Sequence, residues 1–157
     1  MMNSDQSAEL EYVGFWLRVG ASLIDTIVLM VVLFPLTFAI YGRANPEFDF
    51  LAAWSSDYFL AYALPALFYI AFWSKKQATP GKMAISATIV DDKTGGPPTL
   101  TQYIVRYLGY IVATIPFGLG LVWVGFDKKK QGWHDKMAGT VVVRPRNSGT
   151  EAVRFGP

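Results

Sequence analysis

The sequence predicts an all-α membrane protein. It has two full transmembrane helices, a third apolar segment that is broken, and a small cytoplasmic two-strand ribbon. Three observations carry this. Hydrophobic residues make up 52% of the chain and charged residues 17%, below the roughly 25% of soluble domains. The apolar residues fall in uninterrupted runs near the roughly 20 residues that cross a bilayer core. Basic residues collect in alternate connections, as they do beside cytoplasmic membrane faces.

A chain of 157 residues makes one domain. A polar segment covers 1–11, the membrane domain 12–144, and a flexible tail 145–157; the spans cover about 15–41, 58–74 and 100–126. Residues 1–11 carry Asp5, Glu9 and Glu11 but no Lys or Arg. A cleavable signal would begin with basic residues, so the first run is expected to stay as a signal anchor.

The first run extends from Phe15 to Tyr41 and is uncharged from Thr26 onward. Pro35 lies well inside it, where it removes one backbone hydrogen bond and kinks the helix, a defect membrane helices tolerate. The second run, Tyr58 to Trp73, is uncharged and has Pro65 at its middle, a second expected kink. Trp16, Tyr41, Trp54, Tyr58 and Trp73 sit at run ends and suit interfacial aromatic belts. The third run, Leu100 to Phe126, contains Arg106 and the breaker Pro116-Phe117-Gly118-Leu119-Gly120. It reads either as a kinked span or, preferably, as a hairpin that returns to its starting side.

Charge sets the orientation. Arg43 faces Glu47, Asp49 and Asp57 in the first connection, whereas the second carries Lys75, Lys76, Lys82 and Lys93. The tail carries Lys128, Lys129, Lys130, Lys136, Arg144, Arg146 and Arg154. The N-terminus, second connection and tail are therefore expected in the cytoplasm, and only the returning hairpin satisfies all three. The β-branched stretches Ile85–Val90 and Thr140–Val143 would pair as a ribbon on that side. Thr79-Pro80 reads as the cap and first residue of a helix, and Thr99 with Gln102 as a capping box.

Arg18 and Asp25 are seven residues apart, almost two helical turns, so they share a face about 10 Å apart in depth. Gly14, Ala21 and Ser22 share that small, polar face, which suits packing against protein. A charge at lipid depth needs a partner, and Arg106, two turns into the third segment, is the one expected for Asp25. A carboxylate held by a guanidinium keeps its charge; one without a partner in apolar surroundings readily takes a proton. Asp127 and Asp135 flank the basic run, and one of them could face Arg18. Lys128, Lys129 and Lys130 read as a stop-transfer run and anionic-lipid anchor. His134 suits a hydrogen-bonded structural role and Trp133 an interfacial one.

The chain has no cysteine and one histidine, so it offers no metal centre of the usual Cys or His type. It shows no nucleotide fingerprint, no nucleophile–base arrangement and no nucleic-acid motif. Thr79-Pro80-Gly81-Lys82 lacks the rest of a phosphate loop. No enzyme activity and no cofactor are expected.

Taken together, GFWLRVGASLIDTIVL, ATPGKMA, RYLGY and FDKKKQGWHDKMAGTVVV resemble the RDD family of bacterial membrane proteins, over roughly residues 12 to 144. The family's Arg and first Asp match Arg18 and Asp25; its second Asp matches Asp135 best, with Asp127 the alternative. The resemblance implies a multi-pass inner-membrane protein of poorly defined function. Transport of an unknown ligand is the usual suggestion for the family, and cation/proton antiport is another. Two readings follow. In one, the chain is a homo-oligomeric transporter in which Arg18, Asp25 and Arg106 form the polar site, with Asp135 near its entrance. In the other, it is a non-transporting scaffold or accessory subunit whose Arg/Asp pairs only dock helices.

Overall fold

The computed structural model describes residues 10–42, 49, 52–53, 59–146 and 153. Arg43, Glu47, Trp54, Asp57, Tyr58, Ser148 and Arg154 lie outside them, as do the acidic residues Asp5 and Glu9.

The first apolar run forms helix α1, Phe15–Thr37, which continues through the wider turns of Phe38–Gly42. The change follows Pro35, which has no N–H to give the preceding turn. Ala21, Asp25, Leu29, Leu33 and Thr37 are buried; their four-residue spacing makes one stripe on the helix. Most of the remaining surface is exposed and apolar, with Leu23, Ile27 and Val31 all more than 60% exposed. Such a surface is costly in water and suits lipid. Among the described residues, Phe15–Gly42 is the one unbent helix both long and apolar enough to cross a membrane, with mean hydropathy 2.5.

The described part of the second apolar run is helical throughout: the wider turns of Phe59–Ala63 pass directly into helix α2, Leu64–Lys76. Pro65 lies at that change of helix type, where a missing N–H is accommodated by the wider turns. The third run is broken where the sequence places the break. Helix α4, Leu100–Thr114, opens on the Thr99–Gln102 capping box. The chain turns through Phe117 and Gly118, both at positive φ, into helix α5, Leu119–Val122, and the tight turn Trp123–Gly125. The two parts are bent by 116°.

Between α2 and α4 lie helix α3, Pro80–Ala84, and strand β2, Thr88–Asp91. After α5 come helix α6, Trp133–Ala138, and strand β3, Thr140–Pro145. The expected ribbon forms with Ile89 opposite Val142. It gains a third strand, β1, Leu10–Tyr12, antiparallel on the other edge of β3. At three residues β1 is too short to carry a sequence signal of its own. Alternation along the strands builds two cores. Ile89 and Val142 pack with Val13, Trp73, Ala87 and Tyr103, while Val90, Val141, Val143 and Val153 form a second cluster.

Two glycines bring the elements that hold the polar residues together. A Cβ at Gly81 would lie 1.9 Å from the Ala21 carbonyl oxygen, so α3 lies directly on α1. A Cβ at Gly109 would lie 2.8 Å from the His134 Cα, so α6 is equally close on α4.

Candidate functional site

Two polar clusters result. The first is a triad centred on Asp135, which is fully buried at the N-terminal turn of α6. Its Oδ2 accepts from Arg18 Nη1 at 2.5 Å and from the Gly132 amide at 3.1 Å. Its Oδ1 pairs with Arg106 Nη1, which also donates to Thr140 Oγ1 at 2.7 Å. Arg18 ties down two further segments, donating from Nε to the Val13 carbonyl at 2.9 Å and from Nη2 to the Lys130 carbonyl at 2.6 Å. Burial pushes the Asp135 carboxyl up, but Arg106 and Arg18 outweigh it and hold it below the usual carboxylate range.

The expected Arg106–Asp25 pair is thus not formed: Arg106 pairs with Asp135. The reason is the fold of the tail, which carries α6 onto α4 at Gly109 and puts Asp135 between the two arginines. Position along a helix gave the depth of Arg106 but not which neighbour would reach it.

Asp25 anchors the second cluster. Its Oδ2 accepts from Thr79 Oγ1 at 2.5 Å and its Oδ1 from the Gly81 amide at 2.7 Å. Thr79 caps α3 as the sequence suggests, accepting from the Lys82 amide at 3.4 Å, and its hydroxyl hydrogen is free for Asp25. The sequence signal for this contact is a cap residue and a glycine in a short connection, facing a small-residue stripe.

Next to Asp25 opens a cavity of about 560 Å³. Asp25, Lys82, Tyr69, Trp73, Tyr107 and Tyr110 line it, and Ile111 and Ile115 continue the wall. Lys82 is only 6% exposed, yet among the described residues no carboxylate lies within ion-pair distance of it. Burial pushes its amine down from the usual lysine value. Arg106 and Arg18 reinforce the shift, while Tyr110 and Asp25 oppose it. Sequence reasoning counted Lys82 as a loop charge, since nothing in its own stretch shows that Gly81 draws it against α1.

Tyr110 separates the clusters. It faces the cavity and stacks on His134 at 3.9 Å between ring centroids. The hydrogen-bonded role expected for His134 is not found; neither ring nitrogen has a hydrogen bond. Burial pushes its pKa down to about 3, so the ring is neutral and packs as an aromatic. Arg106 lies 5.5 Å from the Trp73 ring centroid and 6.0 Å from that of Tyr110, within cation–π range.

Asp127 belongs to neither cluster. It pairs with Lys136 at 2.5 Å and accepts from the Lys129 and Gln131 amides, each at 3.1 Å. The lysine run is partly drawn into the fold: Lys129 pairs with Asp92 at 2.9 Å and Lys130 Nζ donates to the Gly125 carbonyl, whereas Lys128 is exposed. Among the described residues no group of His, Cys, Asp and Glu side chains could hold a metal ion.

The family model for the RDD family matches residues 12–139. The chain is 43% identical over 77 residues to the uncharacterized protein RP437 of Rickettsia prowazekii, covering 49% of this chain and 42% of that protein. It therefore spans less than half the length of that relative. It is 32% identical to the uncharacterized protein YxaI of Bacillus subtilis over 83% of this chain and 95% of YxaI. With YckC, an uncharacterized protein of the same organism, it shares 29% identity over 83% of each chain. No solved structure matches. With a family match over most of its length, on the segments that carry both polar clusters, this chain belongs to the RDD family.

Proposed function

We propose that the chain is a multi-pass protein of the bacterial inner membrane that binds a ligand in the cavity beside Asp25 and Lys82. The Arg18–Asp135–Arg106 triad is then a fixed lock. One observation carries this reading: a nearly buried lysine, with no ion pair among the described residues, and a buried carboxylate meet at the same open cavity. The triad is unsuited to proton exchange, because its carboxylate is held ionised by two guanidinium groups.

The proposed topology is two crossings and a returning third segment. Strands β1, β2 and β3 come respectively before the first run, after the second and after the third, and all join one sheet. Two crossings return the chain to its starting side, so β3 joins the others when the third segment doubles back, in keeping with its 116° bend. The basic connections then lie in the cytoplasm with both termini, beside anionic lipid, and the exposed face of α1 meets lipid or further copies of the chain. A cysteine placed at Ser148, in a chain with none of its own, tests this. Labelling from the cytoplasmic side alone agrees with it; labelling from outside refutes it.

Ligand binding is tested by thermal-shift screening of the purified protein against Ile111→Trp, which fills the cavity wall. Compounds that stabilise the wild type and not the variant support the reading, and none doing so across a broad screen refutes it. Proteoliposome flux of such a compound, with Na⁺, K⁺ and H⁺ alongside, then separates transport from binding. The second reading, a scaffold or accessory subunit, is favoured by the fact that Arg18, Asp25 and Asp135 are all engaged in contacts between elements. Specific recovery of a partner protein from native membranes, unaffected by Ile111→Trp, would support it. Neither reading assigns a catalytic role.

A further inference from the structure

The cavity's chemistry narrows the ligand, given the reading above that the cavity is a binding site. Around it the buried and part-buried charges are unequal. Arg18, Arg106 and Lys82 are cationic; Asp135 and Asp25 are anionic. Asp135 is shared between the two arginines, and Asp25 is held by Thr79 and the Gly81 amide. His134 is neutral and offers no compensation. The charge left over is one positive unit, and of these cations Lys82, which faces the cavity, has no ion-pair partner among the described residues. Arg106 lies directly behind the Trp73 and Tyr110 walls, with its Nε and Nη2 unbonded. A buried cation of this kind is stabilised by an anion delivered from outside.

The rest of the cavity is apolar. Tyr69, Trp73, Tyr107 and Tyr110 supply aromatic faces. The wall runs out through Ile111 and Ile115, which are 57% and 75% exposed on α4 and the turn after it. On the reading above, an exposed apolar rim of this kind faces lipid. The volume lies within the range of small-molecule sites, roughly 300–1,000 Å³.

We infer that the cavity binds an amphiphile with a single negative charge, its oxyanion head against Lys82 and its apolar tail leaving between Tyr107 and Ile115 toward the bilayer. The head is a carboxylate or a phosphodiester. Both present the same acceptor to an ammonium group, and a free fatty acid or an acidic phospholipid would each supply it.

The test uses the full chain in an uncharged maltoside detergent, reading thermal shift and ligand retention in native mass spectrometry. The probes are oleate, dioleoyl phosphatidylglycerol, oleyl alcohol and inorganic phosphate. Oleate or the phosphatidylglycerol is expected to bind at least tenfold more tightly than the alcohol, and which of the two does so identifies the source of the head. Lys82→Met is expected to remove that preference. A variant with Lys128, Lys129 and Lys130 all changed to Gln is expected to keep it, which excludes lipid gathered by the surface run. Equal binding of alcohol and oleate overturns the inference, as does inorganic phosphate binding as well as oleate, or a Lys82→Met protein that keeps the preference. If Lys82→Met is not recovered folded, the comparison of oleate with alcohol on the wild type still decides. The two levels fail separately. Binding of both amphiphiles that Ile111→Trp abolishes leaves the cavity a ligand site and discards the charge argument; binding that Ile111→Trp leaves intact discards both.

Discussion

The triad and the cavity are neighbours, yet one is closed and the other open. Asp135 has 0% exposed surface and spends both oxygens on arginines brought by α1 and α4. Asp25 is equally buried on one side but opens onto space on the other, where Lys82 has no carboxylate within ion-pair distance among the described residues. A buried charge with all its partners in place fixes a fold; a buried charge short of a partner keeps an unmet demand that a ligand can satisfy. Arg18, Asp25 and Asp135 therefore mark the rigid frame, and the residue that points to binding is the lysine beside it.

Breaking the closed side should have the largest effect. Asp135→Ala strips the buried Arg106 and the part-buried Arg18 guanidinium groups of their anion and is expected to destabilise the protein by about 3–5 kcal/mol, read as lost detergent-extracted abundance and a lower Tm. The pH dependence follows from the depressed carboxyl. Its folded pKa lies below the ~3.9 of an unfolded Asp, so its stabilisation is complete above that value and is lost only as pH falls through the depressed one. The Tm gap between wild type and Asp135→Asn should stay constant from about pH 7 to pH 5. A gap that closes near neutral pH would show that Asp135 titrates there and is no lock.

The frame between the two regions comes next. Gly81→Ala drives a methyl group into the Ala21 carbonyl, a backbone atom that cannot swing aside. Overpacking of this kind costs about 1–3 kcal/mol and should separate α3 from α1, lowering Tm and weakening cavity ligands together. Unchanged Tm would mean that the close approach is not required. Asp25→Asn is milder, about 1.5 kcal/mol. An amide still accepts from the Gly81 N–H but no longer from the Thr79 hydroxyl. A Thr79→Val, Asp25→Asn double-mutant cycle measures that shared contact, and additive effects would deny it.

The same contrast explains what could be read from the sequence. The first apolar run, the break at Pro116–Gly118, the Thr99 and Thr79 caps and the strand-forming valines are local signals, and each appears in the structure near its expected place; the second run, by contrast, does not form a helix both long and apolar enough to cross a membrane among the described residues. The depth of Arg18 and Asp25 on one face was likewise a matter of helix geometry. Partner choice was not. Arg106 met Asp135 instead of Asp25 because Gly109 admits α6, some 25 residues later, at a separation no other residue would allow. Lys82 is buried because Gly81 does the same for α3. Strand β1 exists only as an edge added to β3. Each of these depends on a close approach between distant segments, which leaves no periodic trace along the chain.

The smallest expected effect has the opposite sign and tests the open side alone. Lys82→Met replaces a desolvated ammonium with an apolar chain of similar length. Without ligand it should gain about 1 kcal/mol. The sign can be checked by pH. The folded amine titrates below the ~10.4 of an unfolded lysine, with burial, Arg106 and Arg18 pulling it down and Tyr110 and Asp25 pulling it up. Between the two values the unfolded chain binds more protons, so wild-type stability should climb relative to Lys82→Met as pH rises through that interval. Adding an anionic amphiphile at neutral pH should reverse the order of the two proteins, because the ligand stabilises only the one that still carries the lysine. If Lys82→Met is instead the less stable protein with no ligand present, the lysine already has its partner and the two regions do not differ in kind.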